Sequence, residues 1–71
     1  MTNSVLLRQK IDECGFKLVF VAAKCGLTYC GFLKKMNNET EFKISEVANL
    51  KELLHLTDAE VNVIFFAENV E

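Results

Sequence analysis

No proline occurs in this chain and only three glycines do, so almost nothing along it opposes an α-helix. Those glycines, Gly15, Gly26 and Gly31, are expected to mark helix boundaries. The chain has 71 residues, of which 51% are hydrophobic. That length makes one domain spanning residues 1–71, and the apolar content rules out a disordered tail. A chain this short buries only roughly 60% of the surface that its unfolded form exposes, so its core has to be efficient. The expected fold class is all-α, a compact five-helix unit.

The apolar residues recur at helical spacing and the polar ones supply the stops. A first helix is predicted from Ser4 to Cys14, with Leu7, Ile11 and Cys14 on one face. Gly15 suits a left-handed C-terminal position, and Phe16 can fold back on the last turn. A second, short helix is predicted over Leu18–Cys25, with Val21, Ala22 and Cys25 as its apolar stripe and Gly26 as its end. Thr28 offers an N-cap hydroxyl to a third helix from Tyr29 to about Asn37, anchored by Phe32 and Met36. Asn38, Glu39 and Thr40 form a polar loop, after which Phe42 and Ile44 are expected in the core. Ser45 is the expected N-cap of a fourth helix that buries Val47, Leu50, Leu53 and Leu54. Thr57 and Glu60 form a capping box for a fifth helix, with Leu56 and Val61 as its hydrophobic staple. That helix carries Ile64 and Phe65 and frays through residues 67–71. The apolar run Val63–Phe66 either docks under the first helix or joins a dimer contact.

Several functional classes fall away at this level. Cys14, Cys25 and Cys30 are odd in number and lack a CxxC pair, and His55 is the only histidine. Neither a disulfide framework nor a metal site is therefore expected, and the cysteines read as reduced thiols of a cytoplasmic protein. Cys25 and Cys14 are assigned to the core, and Cys30 is read as an ordinary small residue. His55 reads as a residue at the end of the fourth helix, favourable to the helix dipole. The opening MTNSVLLRQKIDE turns charged after three apolar positions, unlike a secretory signal, and no apolar run approaches the roughly 20 residues of a membrane span. Glu39, Glu41, Glu46, Glu52 and Glu60 read as solvated charges rather than catalytic carboxylates, since a chain this small has little room for a substrate pocket. The sequence predicts no enzyme, no cofactor and no small-molecule substrate.

The net charge of −2 hides an internal division. Residues 1–38 carry six cations against two acids, whereas residues 39–71 carry two cations against eight acids. Such asymmetry suits a molecule with one face for a polyanion and another turned away, and equally suits two solvated helix faces.

Residues 18–37 have the anatomy of a helix-turn-helix: two short helices joined by a tight turn that contains glycine. Ala22 is small where the helices would cross, Gly26 can adopt positive φ, Leu27 plugs the gap and Phe32 anchors the second helix. The stretch Phe20-Val21-Ala22-Ala23-Lys24-Cys25-Gly26-Leu27-Thr28 resembles the motif core of the lambda-repressor-like family of phage repressors and Cro proteins. The segment from Phe32 to Phe42 is similar to small regulators of phages from Gram-positive bacteria, as is the ending from Leu54 to Glu60 followed by Ile64-Phe65-Phe66. The resemblance covers nearly the whole chain.

It implies a lambda-repressor-like domain acting as a transcriptional regulator of a lysis-lysogeny switch, with its third helix in the major groove of operator DNA. By that resemblance Thr28, Tyr29, Cys30, Leu33 and Lys34 face bases or flanking phosphates, and Asn37 contacts the backbone just past the helix. Lys17, Lys24 and Lys35 would add phosphate charge, which positions a protein without reading sequence. Relatives act as dimers on half-sites roughly 34 Å apart, which makes a homodimer the expected assembly. A second reading keeps the fold and changes the partner. Leu18, Val19, Tyr29 and Leu33 could form an exposed apolar patch, and the net charge is acidic. A modulator or antirepressor would use that patch to grip a partner repressor and alter or block its DNA binding.

Overall fold

The computed structural model describes residues 1–66, all helix and loop with no strand among them. Helix α1 spans Ser4–Glu13, α2 Leu18–Lys24, α3 Tyr29–Met36, α4 Ile44–Leu53 and α5 Asp58–Val61. The last helix widens into a π-helical turn over Asn62–Phe66.

Four of the five helices stop by the same device. In each, the residue after the C-cap adopts positive φ: Gly15 (77°), Gly26 (72°), Asn38 (66°) and His55 (55°). The next N–H then reaches back five residues into the helix, from Phe16 to the Ile11 carbonyl, Leu27 to Ala22, Glu39 to Lys34 and Leu56 to Lys51. These are Schellman motifs, which satisfy carbonyls that a helix end otherwise orphans. Three of the residues so turned back, Phe16, Leu27 and Leu56, pack on or within the core. Each stop therefore also aims an apolar side chain inward.

Two of these left-handed positions lack glycine, and they differ in what they do. The Asn38 side chain exchanges hydrogen bonds with the Thr2 backbone, accepting from its N–H (2.8 Å) and donating to its carbonyl (3.0 Å). His55 is exposed, and its ring makes no hydrogen bond among the described residues. His55→Gly should accordingly raise stability by about 0.5–1 kcal/mol in a urea titration, because glycine carries no left-handed penalty. Asn38→Gly should show no such gain, since it forfeits both Thr2 bonds.

The core gathers every element: Leu7 and Ile11, Val21, Ala22 and Cys25, Phe32 and Met36, Val47, Leu50 and Leu54, then Leu56, Val61, Ile64 and Phe65. Phe32 meets Phe42 edge-on with ring centroids 6.0 Å apart, and Phe42 meets Phe65 edge-on at 5.5 Å. That aromatic chain joins α3, the α3–α4 loop and the C-terminal turn. Ile64 and Phe65 are buried against α1, and the Asn3 N–H donates to the Ile64 carbonyl at 2.7 Å. The docking of this run under α1 is thus observed, while Val63 and Phe66 stay exposed. The expected fraying concerns residues 67–71, which lie outside the described residues.

Four local expectations are corrected. Cys14 is exposed rather than buried, because the turn at Gly15 leaves it on the rim and gives the inward place to Phe16. Ile44 is 84% exposed, well off the face that buries Val47, Leu50 and Leu54. The N-cap of α4 is Lys43 rather than Ser45, because the Glu46 carboxylate accepts from the Lys43 N–H (2.8 Å) and so fixes the frame two residues earlier. Gly31 sits inside the first turn of α3 and marks no boundary. The capping box at Thr57 and Glu60 is present as read, with bonds of 2.9 and 3.1 Å.

Candidate functional site

The site is built on α2, the turn after it and α3. Leu18, Val21, Ala22 and Cys25 point α2 into the molecule, and the Gly26 turn brings α3 against it. Leu27 is half-buried between them. The Thr28 hydroxyl accepts from the Gly31 N–H at 3.0 Å, which caps α3 and fixes where its outward residues begin. Phe32, fully buried, and Met36 then set the rotation of the helix.

That rotation separates the expected reading residues into two rows. Cys30, Lys34 and Asn37 follow one another at i, i+4 and i+7 and are all exposed. Tyr29 and Leu33 form a neighbouring row that lines a groove shared with Ser4, Val5 and Arg8 of α1, and Asn37 of the first row borders the same groove. The part played by α1 here was not read from the sequence. The i, i+3 spacing of Val5 and Arg8, outside the Leu7 and Ile11 face of α1, is the signal that marks it.

The lysines also divide. Lys17 and Lys34 are exposed and form no ion pair among the described residues. The Lys24 ammonium lies 5.4 Å from the centre of the Phe20 ring, on the outer side of α2. Lys35 is different. Its side chain is 13% exposed, its ammonium pairs with the Glu46 carboxylate at 2.8 Å, and it also donates to the Glu41 carbonyl. Lys35 is therefore a strut between α3 and α4 and is withdrawn from the binding surface. Glu46 is likewise corrected, being 7% exposed rather than a solvated charge. Burial pushes its carboxyl up, but the Lys35 hydrogen bond and the Lys43 N–H outweigh burial and hold it below its ordinary value.

Of the apolar patch proposed from sequence, Leu18 packs partly on the core, Val19 is 57% exposed and Tyr29 45% exposed. Val5, at 78%, is more exposed than any of them.

Ion pairing shows where the acids go. Lys10 binds Glu60 at 2.6 Å, Lys35 binds Glu46, and Lys51 binds Asp58. Each pair ties together two helices. The Lys10 hydrogen bond lowers the Glu60 pKa, and the Lys51 hydrogen bond lowers that of Asp58. Three acids of the C-terminal half are thereby paired with lysines of other helices. From Cys14 to Asn38 there is no acid at all, so Lys17, Lys24 and Lys34 stand on a surface without local neutralisation.

Among the described residues, no group of histidine, cysteine and carboxylate side chains is placed to hold a metal ion. None of the described helices is long and apolar enough to cross a membrane. No protein-family model matches the chain, and no curated protein or solved structure matches it either.

Proposed function

We propose that this chain is a helix-turn-helix transcriptional regulator of the lambda-repressor-like kind that binds operator DNA through α3. The observation that carries the reading is electrostatic and geometric together. A capped helix presents Cys30, Lys34 and Asn37 in one exposed row, inside a stretch that has lysines and no acid. Duplex DNA is a dense polyanion, and its phosphates supply most non-specific affinity to such a surface. Lys34 is assigned to a phosphate or a base edge, and Asn37 to the backbone beside it. Thr28 and Tyr29, at the start of the helix, border the same surface. Leu33 and the Tyr29 ring offer apolar contact of the kind that meets a thymine methyl. Lys17 and Lys24 add charge at the margin. The lysis-lysogeny setting and a homodimer on two half-sites rest on the sequence resemblance.

Lys34→Ala should weaken binding to duplex DNA and flatten the log–log salt dependence by about one unit. A salt series in fluorescence anisotropy measures both. An unchanged slope would remove Lys34 from the interface.

A second reading is favoured by one observation, the groove in which exposed Val5 meets Tyr29 and Leu33. A groove that sets these apolar side chains among Ser4, Arg8 and Asn37 suits a protein partner. On this reading the chain is a modulator that grips a repressor and alters its operator binding. Leu33→Glu should then abolish that complex with the fold intact, whereas full-strength binding by this variant would exclude the groove.

A further inference from the structure

Helix α2 has two faces, and only one is used by the fold. Leu18, Val21, Ala22 and Cys25 face inward. Val19, Phe20, Ala23 and Lys24 occupy the other side at i, i+1, i+4 and i+5, and all four are exposed. Phe16 extends this face, because its ring stacks on Phe20 with centroids 5.1 Å apart. Phe20 is 41% exposed and Val19 57%, so an aromatic ring backed by the half-buried Phe16 and a β-branched side chain meet solvent together. The Lys24 ammonium lies over the Phe20 ring, and Lys17 stands exposed at the N-cap of the same helix.

We propose that this outer face of α2 is a docking surface for an acidic, apolar helical segment of a partner protein. Charge chooses the occupant. The face carries two lysines and no acid between Glu13 and Glu39, so a complementary surface is acidic. Its centre is apolar and aromatic, the composition in which interface binding energy concentrates. Duplex DNA satisfies the lysines but offers little to the Phe16–Phe20 pair and Val19. A second copy docked two-fold on the same face would bring Lys17 and Lys24 against their own equivalents, which repel. An amphipathic helix with leucines at i and i+4 and flanking glutamates satisfies both demands, with its carboxylates taking the Lys24 and Lys17 ammonium groups at the rim. This surface uses neither the α3 row nor the α1–α3 groove, and it shares only Lys17 and Lys24 with the margin of the proposed DNA surface.

The test uses the full chain, isotopically labelled, and a synthetic amphipathic peptide of repeated Glu-Glu-Leu-Leu units, with its lysine-for-glutamate counterpart as control. The glutamate peptide should shift the amide resonances of Val19, Phe20, Ala23 and Lys24 and leave Lys34 and Asn37 in place. Val19→Ala and Phe20→Ala should each lower its affinity, together by about tenfold or more, without changing binding to duplex DNA. Val19 is the more exposed of the two, so its variant keeps the test valid if loss of the Phe16–Phe20 stack disturbs the fold. No shift at saturating peptide, equal binding by the lysine peptide, or shifts confined to Val5, Tyr29 and Leu33 would each overturn the assignment. So would shifts of Val19, Phe20 and Ala23 produced by duplex DNA, or by raising the protein concentration alone.

Discussion

Phe32→Ala is expected to unfold this chain. Phe32 is fully buried on α3 and begins the aromatic series through Phe42 to Phe65 that ties α3 to the C-terminal turn. Truncating a buried phenylalanine costs about 3–5 kcal/mol, from lost transfer energy and from the cavity left behind. A domain of this size has a total stability of roughly 4–10 kcal/mol, so one substitution removes much or all of it. Far-ultraviolet circular dichroism across a urea titration measures the loss. The variant should show a shifted midpoint or no folded baseline, and a wild-type midpoint would contradict the packing described here. The effect reaches function, because the same ring sets which residues of α3 face outward.

Glu46→Ala is expected to be the second most damaging change, at about 2–4 kcal/mol. The cost comes from the partner left behind: Lys35, with a side chain 13% exposed, would lose the carboxylate that neutralises it. Removing one member of a buried pair strands a charge, whereas replacing both with apolar residues is often neutral. Lys35→Met combined with Glu46→Leu should accordingly recover most of the loss. The pair also gives acid sensitivity a definite sign. The folded-state pKa of Glu46 lies below its unfolded value, so its contribution is fully present above about pH 4.3 and is lost as pH falls through the folded value. Asp58 and Glu60 shift in the same direction and add to the same trend. Urea midpoints measured at falling pH should decline through the acid range, and less steeply in the double variant. A decline equally steep in both would separate the acid response from this pair.

The lysine strut also bears on what the sequence could reveal. Helix positions were legible because their signals are local: the Thr57–Glu60 capping box, the glycines at 15 and 26, and the spacing of Leu7 and Ile11 each involve neighbours along one helix. The Lys35–Glu46 pair joins residues eleven apart across a loop, and no local pattern marks it. The same limit misplaced Ile44 and Cys14, whose apolar character suggested burial. Glu46 set the frame of α4 and the Gly15 turn set the exit of α1, and both acted through the backbone. His55 shows a further gap, since its left-handed backbone replaces the glycine that usually signals such a stop. For the candidate site, the chain order of Thr28 to Asn37 was readable. Its division into an outward row and a groove row follows from the burial of Phe32 and Met36, which sets the rotation of α3.

Charge follows the same logic. The excess of acid after residue 38 suggests a molecule poorly suited to DNA until the pairs with Lys10, Lys35 and Lys51 are in view. Those pairs occupy three acids, of which Glu46 is buried, and leave the α2–α3 surface with its lysines.

The most direct measurement is a gel-shift titration of the purified chain with the DNA flanking its own gene, at low and moderate salt, alongside Lys34→Ala. The account predicts a sequence-dependent shift that weakens as salt rises, and a weaker shift with a flatter salt response in the variant. No shift by the folded chain at either salt would contradict direct DNA binding. The groove of Val5, Tyr29 and Leu33 would then be the functional surface, provided that the chain alters the shift produced by a repressor added with it.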